Sequence, residues 1–301
     1  MSKQPWALIL GASSGFGEAT AIELARAGMN ICGVHMDRRD KLPHVAEVQA
    51  RIRALGRECE FYNFNAADED KRKECVEQIR LRFTGSPTPA PPHTILPDAT
   101  AHPNATAHPN ATAHPNADPT PDPASPQGWL RVILHSLAWG ALKPLAGAQI
   151  NASKKQLEST ADIMGHSLVY WVQECLAAGL LDKGTRIFAM TSSGGTRAIP
   201  EYGPVSAAKA ILEAHIRQLA LELAPAGITA NAILAGVTDT PALRLIPGHE
   251  KIMEIARLRN PHQRLTTPED VGRCIAALCH PATYWMTGNT LHVDGGENIV
   301  G

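Results

Sequence analysis

One tyrosine and one lysine stand seven positions apart in the stretch EYGPVSAAKA, residues 201–210. Pro204 suits the first turn of a helix, and the apolar residues after it recur at helical spacing, which predicts a helix over 204–223. Such a spacing is nearly two helical turns, so Tyr202 lies above Lys209 on about the same side. A cation beside a phenol favours the ionised phenol and lowers its pKa. The pair can therefore serve as a proton donor to a reacting oxygen.

A glycine-rich turn near the start of the chain predicts a phosphate-binding site. The run GASSGFG, residues 11–17, lies between an apolar strand and an amphipathic helix, in a βαβ unit. Glycines let the backbone turn sharply and approach a pyrophosphate, which then binds the free N–H groups at the start of the helix. Cofactor contacts are expected from Gly11, Ser13, Ser14, Gly15, Phe16 and Gly17.

The end of the second predicted strand selects between dinucleotide cofactors, because it meets the adenosine ribose. It reads HMDRRDK, residues 35–41. Asp37 can bind both ribose hydroxyls of NADH, whereas Arg38 and Arg39 can clamp the 2′-phosphate of NADPH. The two adjacent guanidinium groups favour NADPH, with NADH as the alternative. Asn65, at the end of the third strand, is expected to meet the adenine edge.

Strands alternate with helices along most of the chain, which predicts an α/β fold with a Rossmann-type, doubly wound parallel sheet. The alternation is interrupted at 84–128, where TAHPNA recurs three times and apolar residues are few. This composition favours a disordered, Pro-rich insertion within a single domain over 1–301. The histidines of the repeats are interpreted as incidental to the composition rather than as metal ligands: His102, His108 and His114.

The composition excludes several classes of function. The 301 residues include 28 Lys+Arg and 29 Asp+Glu, a formal net charge of -1, so no nucleic-acid partner and no membrane surface is expected. The apolar runs are too short to span a bilayer, and the first residues lack a signal-peptide pattern, so a cytoplasmic location is expected. The six cysteines are scattered without a C-x-x-C pair, and neither a metal site nor a disulfide framework is expected.

Outside 84–128, these motifs together resemble the short-chain dehydrogenase/reductase family. Most of that family has the pattern Tyr-x3-Lys, whereas Tyr-x6-Lys, found here, is typical of one branch, the enoyl-acyl-carrier-protein reductases. The resemblance rests on LHSLAWG at 134–140, RAIPEYGPVSAAKAILEA at 197–214 and TGNTLHVDGG at 287–296. The stretch 205–248 is most similar to the NADPH-using type III enzymes of that branch, known as FabL.

The resemblance implies an oxidoreductase of fatty acid biosynthesis, and so of lipid metabolism, that uses NADPH or alternatively NADH. Hydride would go to the β-carbon of a 2-enoyl thioester carried by acyl carrier protein or coenzyme A, while Tyr202 holds the enolate oxygen and Lys209 the nicotinamide ribose. The stretch 241–260 would cover the acyl chain, and a homotetramer is the family expectation. Four further residues are expected at the cofactor: His135, Ser136, Thr238 and Thr240. For His135 and Ser136, a structural pair that closes the end of the fourth strand is the alternative.

One departure from the branch leaves a second function open. Ser192 stands ten residues before Tyr202, where type I reductases carry a second tyrosine and carbonyl-reducing members carry a serine. Ser192 is therefore a third candidate catalytic residue, able to polarise a ketone. A carbonyl reductase acting on 3-oxoacyl thioesters or ketones is the alternative function, and a non-catalytic, cofactor-binding regulator is the third.

Overall fold

The computed structural model describes residues 3–85 and 128–300. Its strands are β1 Gln4–Leu10, β2 Asn30–His35, β3 Cys59–Asn63, β4 Gly128–His135, β5 Leu181–Thr191, β6 Thr229–Ala235 and β7 Thr290–Val293. All seven form one parallel sheet in the order β3-β2-β1-β4-β5-β6-β7. The strand order reverses between β1 and β4, and ligands of such sheets bind beyond the carboxyl ends of the strands at that point. The predicted Rossmann-type class is confirmed.

Helices connect the strands on both sides of the sheet. They are α1 Gly15–Arg26, α2 Leu42–Ala54, α3 Glu69–Thr84, α4 Lys154–Ala161, α5 Ser167–Ala177, α6 Gly203–Leu223, α7 His249–Arg259 and α8 Pro268–Leu278. Within the described ranges, none of them has both the length and the apolarity needed to cross a bilayer.

The core is divided between the two faces of the sheet. Along β1, Trp6, Leu8 and Leu10 pack with residues of α3, α5 and α6, whereas the alternate residues Ala7 and Ile9 pack with residues of α1, α2 and α8. Successive side chains of a strand point to opposite faces, so a strand that is apolar throughout must be covered on both. The sheet is therefore doubly wound, as the sequence predicts.

The predicted insertion at 84–128 differs from the structure at both ends. Thr84 is the last residue of α3, and Gly85 ends that helix in the left-handed conformation, with φ of 63°. Gly128 is already the first residue of β4. Residues 86–127, with the three repeat histidines, lie outside the described residues.

The helical element between β4 and β5 covers 154–177 and is interrupted near its middle. α4 begins at Lys154, because Ser153 and Gln156 form a capping box there. A π-turn at Asp162–His166 then separates α4 from α5. The capping pattern Ser-x-x-Gln was present in the sequence, whereas nothing in the apolar periodicity indicates the π-turn.

Candidate active site

The glycine-rich turn at 11–17 is folded so tightly that two of its glycines have no room for a side chain. Gly11 has φ of +92°, and a Cβ there would overlap the carbonyl oxygen of Ser136. A Cβ on Gly17 would overlap the carbonyl oxygen of Gly11. Ser14 precedes α1 without a side-chain capping bond, so the first N–H groups of α1 are available to an anion.

A cavity of about 310 Å³, here called the turn cavity, opens over this turn. It lies where the carboxyl ends of β1, β2, β3 and β4 meet. Its wall includes eight of the residues predicted to bind a cofactor: Gly11, Ser13, Ser14, Gly15, Phe16, Asn65, Ser136 and Thr240. Gly17 is not on the wall and instead lets the turn pack on itself.

A second cavity of about 340 Å³, the tyrosine cavity, contains the candidate catalytic groups. Its wall includes Ser192, Tyr202, Lys209 and Thr238. Phe16, Ser136 and Thr240 belong to the walls of both cavities. The two cavities are therefore adjoining parts of one cleft, long enough to connect a phosphate-binding turn with a phenol.

The hydroxyl groups of Tyr202 and Ser192 are neighbours in the tyrosine cavity, with 3.3 Å between their oxygens. Burial raises the pKa of Tyr202, and the hydrogen bond with Ser192 only partly opposes this. The expectation that Lys209 lowers the pKa of this phenol is thus wrong here. Loss of water around the phenol outweighs the other effects, and the ammonium group of Lys209 donates a hydrogen bond to the carbonyl of Met190.

Lys209 is buried, and its Nζ donates to the carbonyl oxygen of Met190 at 2.7 Å. Burial lowers the pKa of Lys209 to about 8, while the negative charge of Glu213 on the same helix opposes the fall. Glu213 is itself held by the hydroxyl of Thr191, which donates to it at 2.6 Å. Lys209 therefore still carries its proton at neutral pH, but less firmly than an exposed lysine.

The end of β2 presents a carboxylate to the turn cavity. Asp37 is on the cavity wall, its Oδ2 lies 2.9 Å from Nδ1 of buried His35, and its N–H donates to Asn63. Arg38 and Arg39, the predicted phosphate clamp, are exposed and belong to the wall of neither cavity.

His135 lies behind the cleft instead of bordering it as expected. Its side chain is fully buried beneath α5, with Nε2 2.9 Å from the Oγ of Ser167, and it lines neither cavity. Thr238 is also buried, but it reaches the tyrosine cavity while its hydroxyl donates to the carbonyl of Gly236 at 3.0 Å.

The sequence does not indicate the role of two residues, one on the cleft wall and one that supports it from behind. Trp139 is 52% exposed and lies on the wall of both cavities, and its position just after a strand end was the available signal. Glu297 accepts a hydrogen bond from the N–H of Val237 at 3.0 Å and so fixes the loop after β6. Sixty residues separate Val237 from Glu297 in the sequence, and no local pattern indicates their contact.

Comparison with known proteins identifies the family of this chain. The model of the family described as enoyl-(acyl carrier protein) reductase matches residues 124–298, more than half of the chain, and a short chain dehydrogenase model matches 5–86. The enoyl-[acyl-carrier-protein] reductase [NADH] FabI of Escherichia coli (strain K12) is 33% identical over 167 residues, 55% of this chain and 63% of that protein. The [NADPH] FabI of Staphylococcus aureus (strain MRSA252) is 33% identical over 168 residues, 56% of this chain and 65% of that protein. Each match thus spans less than two thirds of the relative's length.

Solved structures of two kinds share the fold. The NADH-dependent enoyl-[acyl-carrier-protein] reductase of Aquifex aeolicus VF5 has a TM-score of 0.74 at 22% identity, covering 99% of this chain and 97% of its own. The 3-oxoacyl-[acyl-carrier protein] reductase of Brucella melitensis, in complex with NAD, also has a TM-score of 0.74, at 20% identity and full coverage of both chains. The fold alone does not separate the two chemistries. The family model matches more than half of the chain, so this chain belongs to the enoyl-(acyl carrier protein) reductase family of short-chain dehydrogenases.

Proposed function

We propose that the protein reduces the C2–C3 double bond of 2-enoyl thioesters, as an oxidoreductase of fatty acid biosynthesis. The observation that carries this proposal is the tyrosine cavity, where Tyr202 and Lys209 line one wall at the spacing of enoyl reductases. The family match and the relatives that act on acyl-carrier-protein substrates support it. The thioester is carried by acyl carrier protein or coenzyme A.

The residues present fit a nicotinamide dinucleotide. The turn can form a cradle because Gly11 and Gly17 lack a Cβ, which would overlap the carbonyl oxygens of Ser136 and Gly11, and the first N–H groups of α1 are available to the pyrophosphate. Ser13 and Ser14 add hydroxyl donors on the same wall. When bound, the reduced cofactor supplies hydride to the β-carbon of the substrate.

The chain's own residues bind the substrate oxygen and position the hydroxyl proton of Tyr202 beside it. The Tyr202 hydroxyl donates to the thioester oxygen, which becomes an enolate oxygen as hydride arrives at the β-carbon. Ser192, 3.3 Å away, supports that phenol. Lys209, anchored on Met190, offers its remaining N–H groups to a ribose hydroxyl and keeps positive charge near the developing enolate.

An apolar wall accounts for the acyl chain. The tyrosine cavity is lined by apolar side chains from 241–260 and from two other parts of the chain: Leu142, Met164, Leu245, Ile246 and Ile252. Apolar walls with few polar groups are typical of sites that exclude water and select by length. We propose that 241–260 covers the acyl chain.

For the cofactor, we propose NADH in preference to NADPH. Asp37 is the only acidic residue on the wall of the turn cavity among the described residues, and a carboxylate there binds ribose hydroxyls and repels a 2′-phosphate. NADPH, favoured by the sequence, remains the second candidate, because Arg38 and Arg39 are exposed beside Asp37 and form no ion pair within residues 3–85 and 128–300. Initial rates with both cofactors over a range of concentrations distinguish the two.

A carbonyl reductase is the second candidate function, and the 3.3 Å contact between Ser192 and Tyr202 favours it. Two hydroxyl groups side by side can both donate to a ketone oxygen and polarise it. The Tyr-x6-Lys spacing favours the enoyl substrate instead.

The deciding experiment follows cofactor oxidation by the purified protein with crotonoyl-coenzyme A and acetoacetyl-coenzyme A in parallel. We expect oxidation with the enoyl substrate and little with the ketone. Ser192→Ala should reduce enoyl turnover modestly, whereas it should abolish any ketone reduction. Oxidation with the ketone alone would overturn the proposal, and binding of cofactor without oxidation in either assay would favour the non-catalytic regulator.

We also propose that residues 1–301 form one domain with 84–128 inserted in it, and that the protein is a homotetramer. All seven strands belong to one sheet, with β1, β2 and β3 on one side of 84–128 in the sequence and β4 to β7 on the other. Limited proteolysis followed by light scattering tests both: cleavage within 84–128 should leave the two fragments associated, with a mass close to four chains.

A further inference from the structure

His135 and Ser167 form a buried polar pair behind the tyrosine cavity. Both side chains have no exposed surface, and Nε2 of His135 lies 2.9 Å from Oγ of Ser167. The Ser167 hydroxyl in turn donates to the carbonyl oxygen of Ile163 at 2.7 Å, inside the π-turn. The pair thus ties the end of β4 to the interruption between α4 and α5.

This geometry fixes the tautomer of His135. A serine has one hydroxyl proton, and a carbonyl oxygen can only accept, so the proton of Ser167 is directed to Ile163. The bond between His135 and Ser167 must therefore be donated by Nε2–H. Nδ1 is left as an unprotonated acceptor, and it has no hydrogen-bond partner among residues 3–85 and 128–300.

The unpartnered nitrogen belongs to the same buried region as Lys209. His135 is paired across the sheet with Ala189, and the next residue, Met190, accepts the hydrogen bond from Lys209. Burial, and next the charge of Lys209, lower the pKa of His135 to about 3. The imidazole is therefore neutral at every pH of interest, with its Nδ1 lone pair available.

Buried polar groups are nearly always satisfied, by protein or by an ordered water molecule. Nδ1 makes no direct hydrogen bond with Nζ of Lys209, which uses one N–H on Met190. We propose that one buried water molecule bridges Nδ1 of His135 and the ammonium group of Lys209, so that His135 is a positioning residue for this lysine.

The bridge would affect when Lys209 loses its proton. A hydrogen bond to the ammonium form favours that form and keeps the lysine charged to higher pH. Among the described residues, the titratable groups near Lys209 are Glu213 on the same helix, Tyr202 on the wall of the shared cavity, and His135 on β4. Only His135 is both neutral and fully buried.

Two matched variants test the bridge. In His135→Gln, the side-chain amide reaches the position of Nε2 and can keep the hydrogen bond to Ser167. In His135→Asn, the side-chain amide reaches the position of Nδ1 and can keep the acceptor for the bridging water. The affinity for NADH, followed by fluorescence between about pH 6.5 and 9.5, should fall as Lys209 loses its proton. His135→Gln should move the midpoint of that fall down by about one pH unit, and His135→Asn should keep the wild-type midpoint. Equal shifts in both variants, or no shift in His135→Gln, would overturn the proposal.

Two measurements on the unaltered protein complete the test without depending on how the variants fold. ¹⁵N chemical shifts of His135 should report the Nε2–H tautomer throughout this pH range, and a high-resolution crystal structure should contain a water molecule on Nδ1. An Nδ1–H tautomer or a dry Nδ1 contradicts the bridge. The inference rests on the proposed function for the role of Lys209 and for NADH as the ligand, but none of these readouts requires an enoyl substrate, so the two can fail separately.

Discussion

The two ends of the cleft are built differently. At the turn cavity the selecting charges are Asp37, Arg38 and Arg39, at or near the surface at the end of β2. At the tyrosine cavity the reacting groups are enclosed: Lys209 is 6% exposed, and burial shifts the pKa of both Tyr202 and Lys209. Interactions between exposed charges are weak because solvent screens them, whereas the energy of a buried charge depends strongly on the groups packed around it. We therefore expect cofactor preference to be easy to change and the chemistry to be hard to restore.

Tyr202→Phe should have the largest effect. It removes the hydroxyl that meets the substrate oxygen but keeps the ring, so turnover should fall by roughly 10²- to 10⁴-fold. Cofactor affinity, which depends on the turn cavity and on Lys209, should change little. Steady-state rates and a cofactor titration on the same preparation separate these effects, and turnover within threefold of wild type would remove Tyr202 from its assigned role.

Gly17→Ala should come next, because the new Cβ overlaps the carbonyl of Gly11 and opens the turn. We expect cofactor affinity to fall by about 10²-fold through loss of the pyrophosphate cradle. Gly28→Ala is the matched control: it is strained by φ of +97° but meets nothing within 4 Å and lies far from the cleft. If both variants bind cofactor equally well, the turn is not the phosphate site.

Asp37→Ala should alter preference without altering the chemistry. Removing the carboxylate from the wall of the turn cavity should cost NADH about tenfold in kcat/KM and relieve repulsion of NADPH. Asp40→Ala, an exposed carboxylate outside the cavity wall, is the control. An unchanged ratio of the two cofactors in Asp37→Ala would mean that Arg38 and Arg39 decide the preference.

Lys209→Met concerns stability and should have the smallest effect of the four. Its sign is unusual, because removing this buried group should stabilise the fold. The pKa of Lys209 is about 8 in the folded chain against 10.5 when unperturbed, so the unfolded chain binds one more proton between those values. Stability should therefore rise with pH across that window, and below it the buried charge destabilises the fold. Lys209→Met should increase the free energy of unfolding at pH 7 by about 1 to 3 kcal/mol, although it removes a residue of the proposed active site. Denaturant unfolding at pH 7 and pH 9.5, with exposed Lys155→Met as control, checks the sign.

The sequence was informative where the determinant is local. The glycine turn, the strand ends and the Tyr-x6-Lys pair follow from patterns within about ten residues, and the structure brings them to one cleft. The bond between His135 and Ser167 spans 32 residues and depends on a π-turn, so His135 was expected at the cofactor but lies behind it. Likewise, the pKa of Tyr202 depends on how much water the assembled cavity excludes, which no spacing encodes.

The positions where 86–127 join the described chain lie far from the chemistry. β4 begins at Gly128 and runs to His135 at the cleft side of the sheet, and a strand of that length spans about 26 Å. Gly85 and Gly128, the residues at this junction, line neither cavity, so a change of length between them should leave both cavity walls in place. A tag or a reporter domain inserted between Gly85 and Gly128 should leave turnover unaffected, which makes this junction the natural place to immobilise the enzyme.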